Sequence, residues 1–233
     1  MAEVQRSGMP AATDHHSAEL LQRLHEEFGG VHSQQTVDDL MADSRRRYES
    51  IAAVEQFVPV LAHSLARERL RALARCEGKL PRDRPEVLFV GLEGRGRSQM
   101  AASLSDLRSH GSVTAHAAGT RARPDTDDNV AAALREIGID LDDVHPMPVT
   151  DEALAGADVI VTMGRSVGEV AIPAGARHED WRIGDPVGAD LYEVRRIRDE
   201  IDQRVQTLIA DLVPRAEPAD ESDEDTARST QLP

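Results

Sequence analysis

The 233-residue chain carries 42 acidic against 27 basic side chains, for a formal net charge of −15. Such an excess of carboxylates argues against non-specific nucleic-acid binding and against docking on an anionic membrane surface. Apolar residues make up 40% of the chain, enough for one medium globular domain and a smaller companion. A single cysteine excludes an intramolecular disulfide. No run reaches the length of a membrane span and no signal-peptide core opens the chain, so a cytoplasmic location is expected.

Residues 1–16 (MAEVQRSGMPAATDHH) are small and polar and are expected to be a disordered lead-in. His15 and His16 have no third ligand beside them, so no metal is expected there. Residues 17–76 read as a three-helix unit. Ser17 is a plausible N-cap for Leu20, Leu21, Leu24 and Phe28, and Gly29-Gly30 stops that helix. A second helix runs from Gln34 to Ser50 with Val37, Leu40 and Met41 together. A third carries Val54, Val58, Leu61 and Leu65 and continues through Leu70 and Leu73, with Pro59 implying a kink or a late start. The Arg45-Arg46-Arg47 run invites a helix-turn-helix reading, but Asp38, Asp39 and Asp43 surround it, which favours a solvated face. About sixty residues bury little surface alone, so the unit must pack on a second copy or on the following domain.

Cys76 closes this unit and is open to being a reactive or a structural thiol; residues 77–85, with two prolines and five charged side chains, are the linker. Glu86–Val90 is an apolar strand, Gly91, Gly94 and Gly96 form a tight loop, and a helix begins at Arg97 with Met100, Leu104 and Leu107 on one face. Strand, glycine loop and helix N-terminus together make an anion cradle. The alternation continues through strands at Ser112–Ala118, Asp158–Met163 and Trp181–Ile183. Helices are expected at Asp127–Ile137, after a Thr150 cap, and at Tyr192–Leu212. The expected fold is α/β: a four-stranded parallel sheet with helices on both faces over residues 86–213, preceded by the small three-helix unit. Its ligands belong beyond the strands' C-terminal ends, where Gly91–Ser98 falls. Residues 214–233 are acidic and expected to be a disordered tail.

Strand, Cys-x5-Arg-Ser and helix form the signature of the low-molecular-weight tyrosine phosphatases and of the arsenate reductases built on the same fold. This chain resembles that family over about residues 86–212. Arg97-Ser98, Ala118-Gly119-Thr120, Val161-Thr162-Met163-Gly164, Asp180-Trp181, Asp185-Pro186 and Arg198-Asp199-Glu200-Ile201 occur in the family's order. The resemblance implies a loop whose N–H groups and Arg97 hold an oxyanion, with Asp185 at the place of the general acid. It also implies that the three-helix unit mediates a homodimer. The nucleophilic cysteine belongs at residue 91, where this chain has glycine, and Gly94 replaces the usual Asn. Glu93 sets a carboxylate beside the anion site, unfavourable unless Arg95 or Arg97 pairs with it. No cysteine follows Gly164-Arg165.

Three readings follow. The first is a degenerate, non-catalytic member that binds an oxyanion or a protein partner, with Gly94, Gly96, Arg97 and Ser98 as the anion-binding residues. The second is an enzyme of altered, non-thiol chemistry that uses Arg97, Glu93 and Asp185; against it, Asp185 also reads as a turn-capping carboxylate. The third is a DNA-binding regulator acting through the helical unit. No cofactor is expected. The third glycine of a dinucleotide fingerprint and the Gly-Lys-Ser/Thr of a nucleotide-triphosphate loop are both missing.

Overall fold

Helical periodicity becomes structure over most of the N-terminal unit. In the computed structural model, which describes residues 10–51, 55–123, 127–141, 147–164 and 170–213, it forms α1 (Pro10–Phe28), α2 (Gln34–Glu49) and α3 (Val58–Cys76). Leu24, Phe28, Val37, Met41, Ala62, Ala66 and Leu70 interlock as the core of these three helices. The Ser33 hydroxyl accepts from the Thr36 N–H to cap α2, and Pro59 lies in the first turn of α3, so the proline marks a late start and not a kink. The lead-in needs correction. α1 begins at Pro10, and Ser17 lies inside it. Proline suits the first helical position, and Ala11 and Ala12 after it are the strongest of helix formers.

Beyond the linker the chain alternates β1 (Glu86–Gly91), α4 (Arg97–Ser109), β2 (Thr114–Gly119), α5 (Asp128–Arg135), β3 (Met147–Pro148), α6 (Asp151–Gly156), β4 (Val159–Met163), β5 (Arg177–Trp181) and α7 (Leu191–Leu212). The sheet is parallel throughout, in the order β3-β2-β1-β4-β5. It therefore has five strands where four were expected. The fifth, Met147–Pro148, pairs only with Ala118 and Gly119 and is too short to carry a periodic signal. The last strand is displaced as well: Trp181 ends β5 instead of opening a strand.

Side chains of β1 alternate between two cores. Val87 and Phe89 face one side, where α4, α5 and α7 supply Met100, Leu104, Val130, Leu134, Val194, Ile197 and Ile201. Leu88 and Val90 face the other, against Leu154 of α6 and Ile160 of β4. Both faces of a parallel sheet are thus covered. Leu107 departs from its expected face and is 37% exposed near the end of α4. The helical unit packs on the second side through α3 and α6, so closely that a Cβ on Gly156 would lie 2.9 Å from the Ala72 methyl. Among the described residues no helix is long and apolar enough to cross a membrane.

Candidate functional site: a glycine loop at the head of the sheet

The central strand β1 ends at Gly91, in register with Gly119 of β2. From there Leu92–Gly96 turns into the first residues of α4, and the turn is possible because Gly94 adopts φ +74°. The segment after β2 clamps the loop from outside. The carbonyls of Gly91, Leu92 and Glu93 accept from the N–H groups of Thr120 (3.1 Å), Arg121 (2.7 Å) and Arg123 (3.2 Å). In a trans peptide the next N–H points opposite to the carbonyl, so the N–H groups of Leu92, Glu93 and Gly94 turn away from that segment and into the loop. Gly119 makes the clamp possible, since a Cβ there would sit 2.6 Å from the Glu93 carbonyl carbon.

The helix adds the second half of the cradle. Gly96 is the N-cap of α4 and has no side chain to cap its first turn, so the positive end of the 13-residue helix faces the loop without a capping side chain. Pro186 packs over Gly96, with its Cγ 3.1 Å from where a Cβ would lie. The Asp185-Pro186 pair therefore closes on the loop. Gly91–Ser98, Asp185 and Val187 enclose a pocket of about 140 Å³. That space suits an ion of a few atoms and not a drug-sized ligand.

Arg97 is fixed at the side of this pocket. Its Nη1 donates to the Ile183 carbonyl at 2.9 Å, and its Nη2 lies 3.3 Å from the Asp185 carboxylate. The guanidinium rests on Gly164 at the end of β4, where a Cβ would meet Nη2 at 2.6 Å and where φ is +91°. Gly164 is thus a supporting residue that sequence reasoning quoted as part of a motif without assigning it this role. Asp185 is 61% exposed at its side chain, and its other carboxylate oxygen accepts from the Val187 N–H at 3.2 Å. It caps its own turn and touches Arg97 at once.

Glu93 does not lie unpaired against the anion site. Arg95 Nε donates to its Oε2 at 2.6 Å, and Arg123 Nε lies 3.2 Å from Oε1. The condition set by the sequence is met by Arg95, with Arg123 as a partner that sequence reasoning missed. Arg97 stays with the pocket. Ser98 is 1% exposed, and among the described residues its hydroxyl makes no hydrogen bond. Gly91, Gly94, Gly96, Arg97, Ser98 and Asp185 all line this one pocket. Cys76 is not among them. It follows Arg75, whose Nη1 is 3.2 Å from Glu86 at the opposite end of β1. Five residue steps separate Glu86 from Gly91, roughly 16 Å along a parallel strand.

A β-strand, an Arg-Ser loop and an Asp-Pro pair closing on it form a phosphatase-like loop, and the family comparison agrees. Residues 86–217 match the low molecular weight phosphotyrosine protein phosphatase model, and residues 18–74 match the protein-tyrosine-phosphatase-like N-terminal domain. The chain belongs to the low molecular weight phosphotyrosine protein phosphatase family. It is 33% identical over 131 residues to a putative arsenate reductase of Halobacterium salinarum, covering 54% of this chain and 92% of that protein. Among solved structures it is similar to a thioredoxin-dependent arsenate reductase of Corynebacterium glutamicum. That match has a TM-score of 0.75 and 30% identity, over 84% of this chain and 96% of the other. It is also similar to an arsenate reductase in its phosphate-binding state, with a TM-score of 0.50 and 26% identity, over 55% of this chain and 99% of the other.

Proposed function

We propose that the protein is a non-catalytic member of its family that binds a phosphate-like oxyanion in the Gly91–Ser98 loop. The observation that carries this reading is the pairing of an intact cradle with glycine at residue 91. Loop N–H groups, the α4 N-terminus and Arg97 are arranged to hold an anion, yet the loop contains no thiol to attack it. The thiol chemistry that the family resemblance implies needs a sulfur at the anion, and Cys76 lies beside the far end of β1. Loss of a covalent nucleophile removes orders of magnitude of rate even where binding groups persist. A relative solved in a phosphate-binding state supports phosphate as the first probe.

Thermal unfolding with phosphate, sulfate and arsenate tests the reading. A ligand at a hundred times its Kd stabilises the fold by about 2.7 kcal/mol. A rise in Tm that disappears in Arg97→Ala is expected; no rise with any of the three would overturn it. Turnover of an aryl phosphate or of arsenate by the wild-type protein would instead support the altered-chemistry enzyme, for which Asp185 beside Arg97 is the available acid. The DNA-binding reading loses its footing, because Arg45 pairs with Glu49 while Arg46 and Arg47 both pair with Asp43. Homodimer formation through the helical unit stands as a companion proposal, with Phe57 and Val60 the large apolar side chains it leaves exposed among the described residues. Sedimentation velocity on the whole chain measures it.

A further inference from the structure

We propose that the loop seats its oxyanion deeper than a cysteine-bearing loop could, with one anion oxygen lying against Gly91 and accepting from the buried Ser98 hydroxyl. This rests on the oxyanion reading and deepens it, making the ligand a tetrahedral oxyanion and Ser98 one of its direct donors.

Three observations meet at one point. Ser98 Oγ is buried and without a hydrogen-bond partner among the described residues, in a side chain only 1% exposed. Leaving a buried hydroxyl unpaired is unfavourable, which marks it as a donor for a bound group. Its direction is defined by Gly91: a Cβ on that residue would lie 3.0 Å from Ser98 Oγ and 3.5 Å from Ser98 Cβ. The next atom is the Gly94 backbone nitrogen at 3.8 Å, so a hydroxyl and an amide border the space where any side chain at residue 91 would begin. The N–H of Gly94 is one of those turned into the loop by the outward Glu93 carbonyl. Glycine at 91 therefore opens the floor of the cradle toward two polar groups.

An oxygen can occupy that floor where a carbon cannot match it. An anionic oxygen accepting from Ser98 gains a charge-assisted hydrogen bond, while an alkyl group there would leave the hydroxyl unsatisfied. The remaining oxygens of a tetrahedral ion then face the loop N–H groups and Arg97. The loop's conformation does not depend on glycine at this residue, because Gly91 is not in the left-handed region. Alanine at 91 thus tests the floor without straining the backbone.

Calorimetric titration of the full chain with inorganic phosphate and with sulfate decides the matter, using wild type, Ser98→Ala, Gly91→Ala and Arg97→Ala. Ligand-free melting curves accompany each variant to show that it is folded. Ser98→Ala is expected to raise Kd about ten- to a hundredfold, as for loss of a hydrogen bond to a charged group. Gly91→Ala, with Ser98 intact, is expected to raise it at least about tenfold by filling the floor. Phosphate binding that needs Arg97 but is unchanged in folded Ser98→Ala and Gly91→Ala would overturn the deep seat and leave the oxyanion reading standing. No binding of either ion to wild type would overturn both.

Discussion

Arg69 of α3 grips Glu152 of α6 with two hydrogen bonds, Nε to Oε2 at 3.0 Å and Nη2 to Oε1 at 2.9 Å, so that one buried guanidinium ties the helical unit to the phosphatase-like domain. Its remaining nitrogen, Nη1, donates to Asp43 at 2.8 Å and to the Ser44 hydroxyl at 3.1 Å, both on α2. Arg69 is 5% exposed. Burial works against its charge, but the Glu152 and Asp43 carboxylates outweigh it and hold the guanidinium above its ordinary range. Replacing one member of such a cluster leaves the others uncompensated. Arg69→Met is expected to destabilise the protein by about 2–3 kcal/mol, below the usual figure for a fully buried pair because Asp43 is partly exposed. Urea unfolding measures the loss, and a double-mutant cycle with Glu152→Gln should show strong coupling. A change within a few tenths of a kcal/mol would mean that this ion cluster contributes nothing to holding the two units together.

The cradle was legible in the sequence because each part of it is local. An apolar strand, three glycines and Arg97-Ser98 stand within about a dozen residues, and their spacing alone implies a loop at a helix N-terminus. What surrounds the cradle was less legible. Arg123 reaches Glu93 from the segment after β2, and Gly164 supports Arg97 from the end of β4, contacts that exist only once the strands are ordered. β5 was misplaced because Arg177-His178-Glu179-Asp180 is an edge sequence, mostly exposed and without the apolar run that marked β1 and β4. Its pairing with β4, and not its composition, makes it a strand. Asp185 read equally as turn cap or functional acid, and the structure has it accept from Val187 N–H while also facing Arg97.

A second charged seam gives the fold a pH dependence. His116 of β2 sits 3.1 Å from Glu86 of β1 through Nε2 and 3.8 Å from Glu68 of α3 through Nδ1, while Arg75 of α3 pairs with the other oxygen of Glu86. Burial pushes the imidazole down, but the Glu86 hydrogen bond and the Glu68 and Glu86 charges overcome it, against Arg75, and raise it above its ordinary value. A histidine raised in the folded state contributes stability that is full below its unfolded pKa of about 6.5 and lost as pH rises through the folded value. Wild type should therefore lose stability as pH rises above about 6.5, relative to His116→Gln, which removes the titrating group. Parallel urea titrations across that range provide the comparison, and identical slopes for the two proteins would contradict the assignment.

Gly119, which does not itself line the pocket, offers a test of the clamp. A methyl group there would meet the Glu93 carbonyl carbon at 2.6 Å and the Gly94 nitrogen at 2.7 Å, both backbone atoms that cannot rotate away. The loop itself must move. Gly119→Ala is expected to cost about 1–3 kcal/mol through overpacking. It should also abolish the phosphate-induced rise in Tm, because the N–H groups of residues 92–94 lose their alignment. Retained phosphate stabilisation in this variant would show that the loop holds its shape without the β2 contact.

Gly91→Cys asks whether only the nucleophile separates this chain from a working thiol site. A Cβ at residue 91 meets only the Ser98 hydroxyl closely, at 3.0 Å, and a serine side chain can yield by a few tenths of an ångström. The new sulfur would stand at the N-terminus of α4 beside Ser98, a setting that lowers a thiol's pKa and stabilises the thiolate. Arg97 would hold the substrate's oxyanion and Asp185 would stand at the pocket mouth as proton donor to the leaving group. The variant is expected to hydrolyse an aryl phosphate at least about a hundredfold faster than wild type, since nucleophile loss alone removes several orders of magnitude. Iodoacetamide should abolish that activity, with phosphate protecting against it, and a second change, Arg97→Ala, should also remove it. A folded, phosphate-binding Gly91→Cys protein with no turnover would show that the deeper cradle no longer presents phosphorus to a sulfur at residue 91. The shape of the loop, and not glycine at residue 91 alone, would then stand between this chain and thiol chemistry.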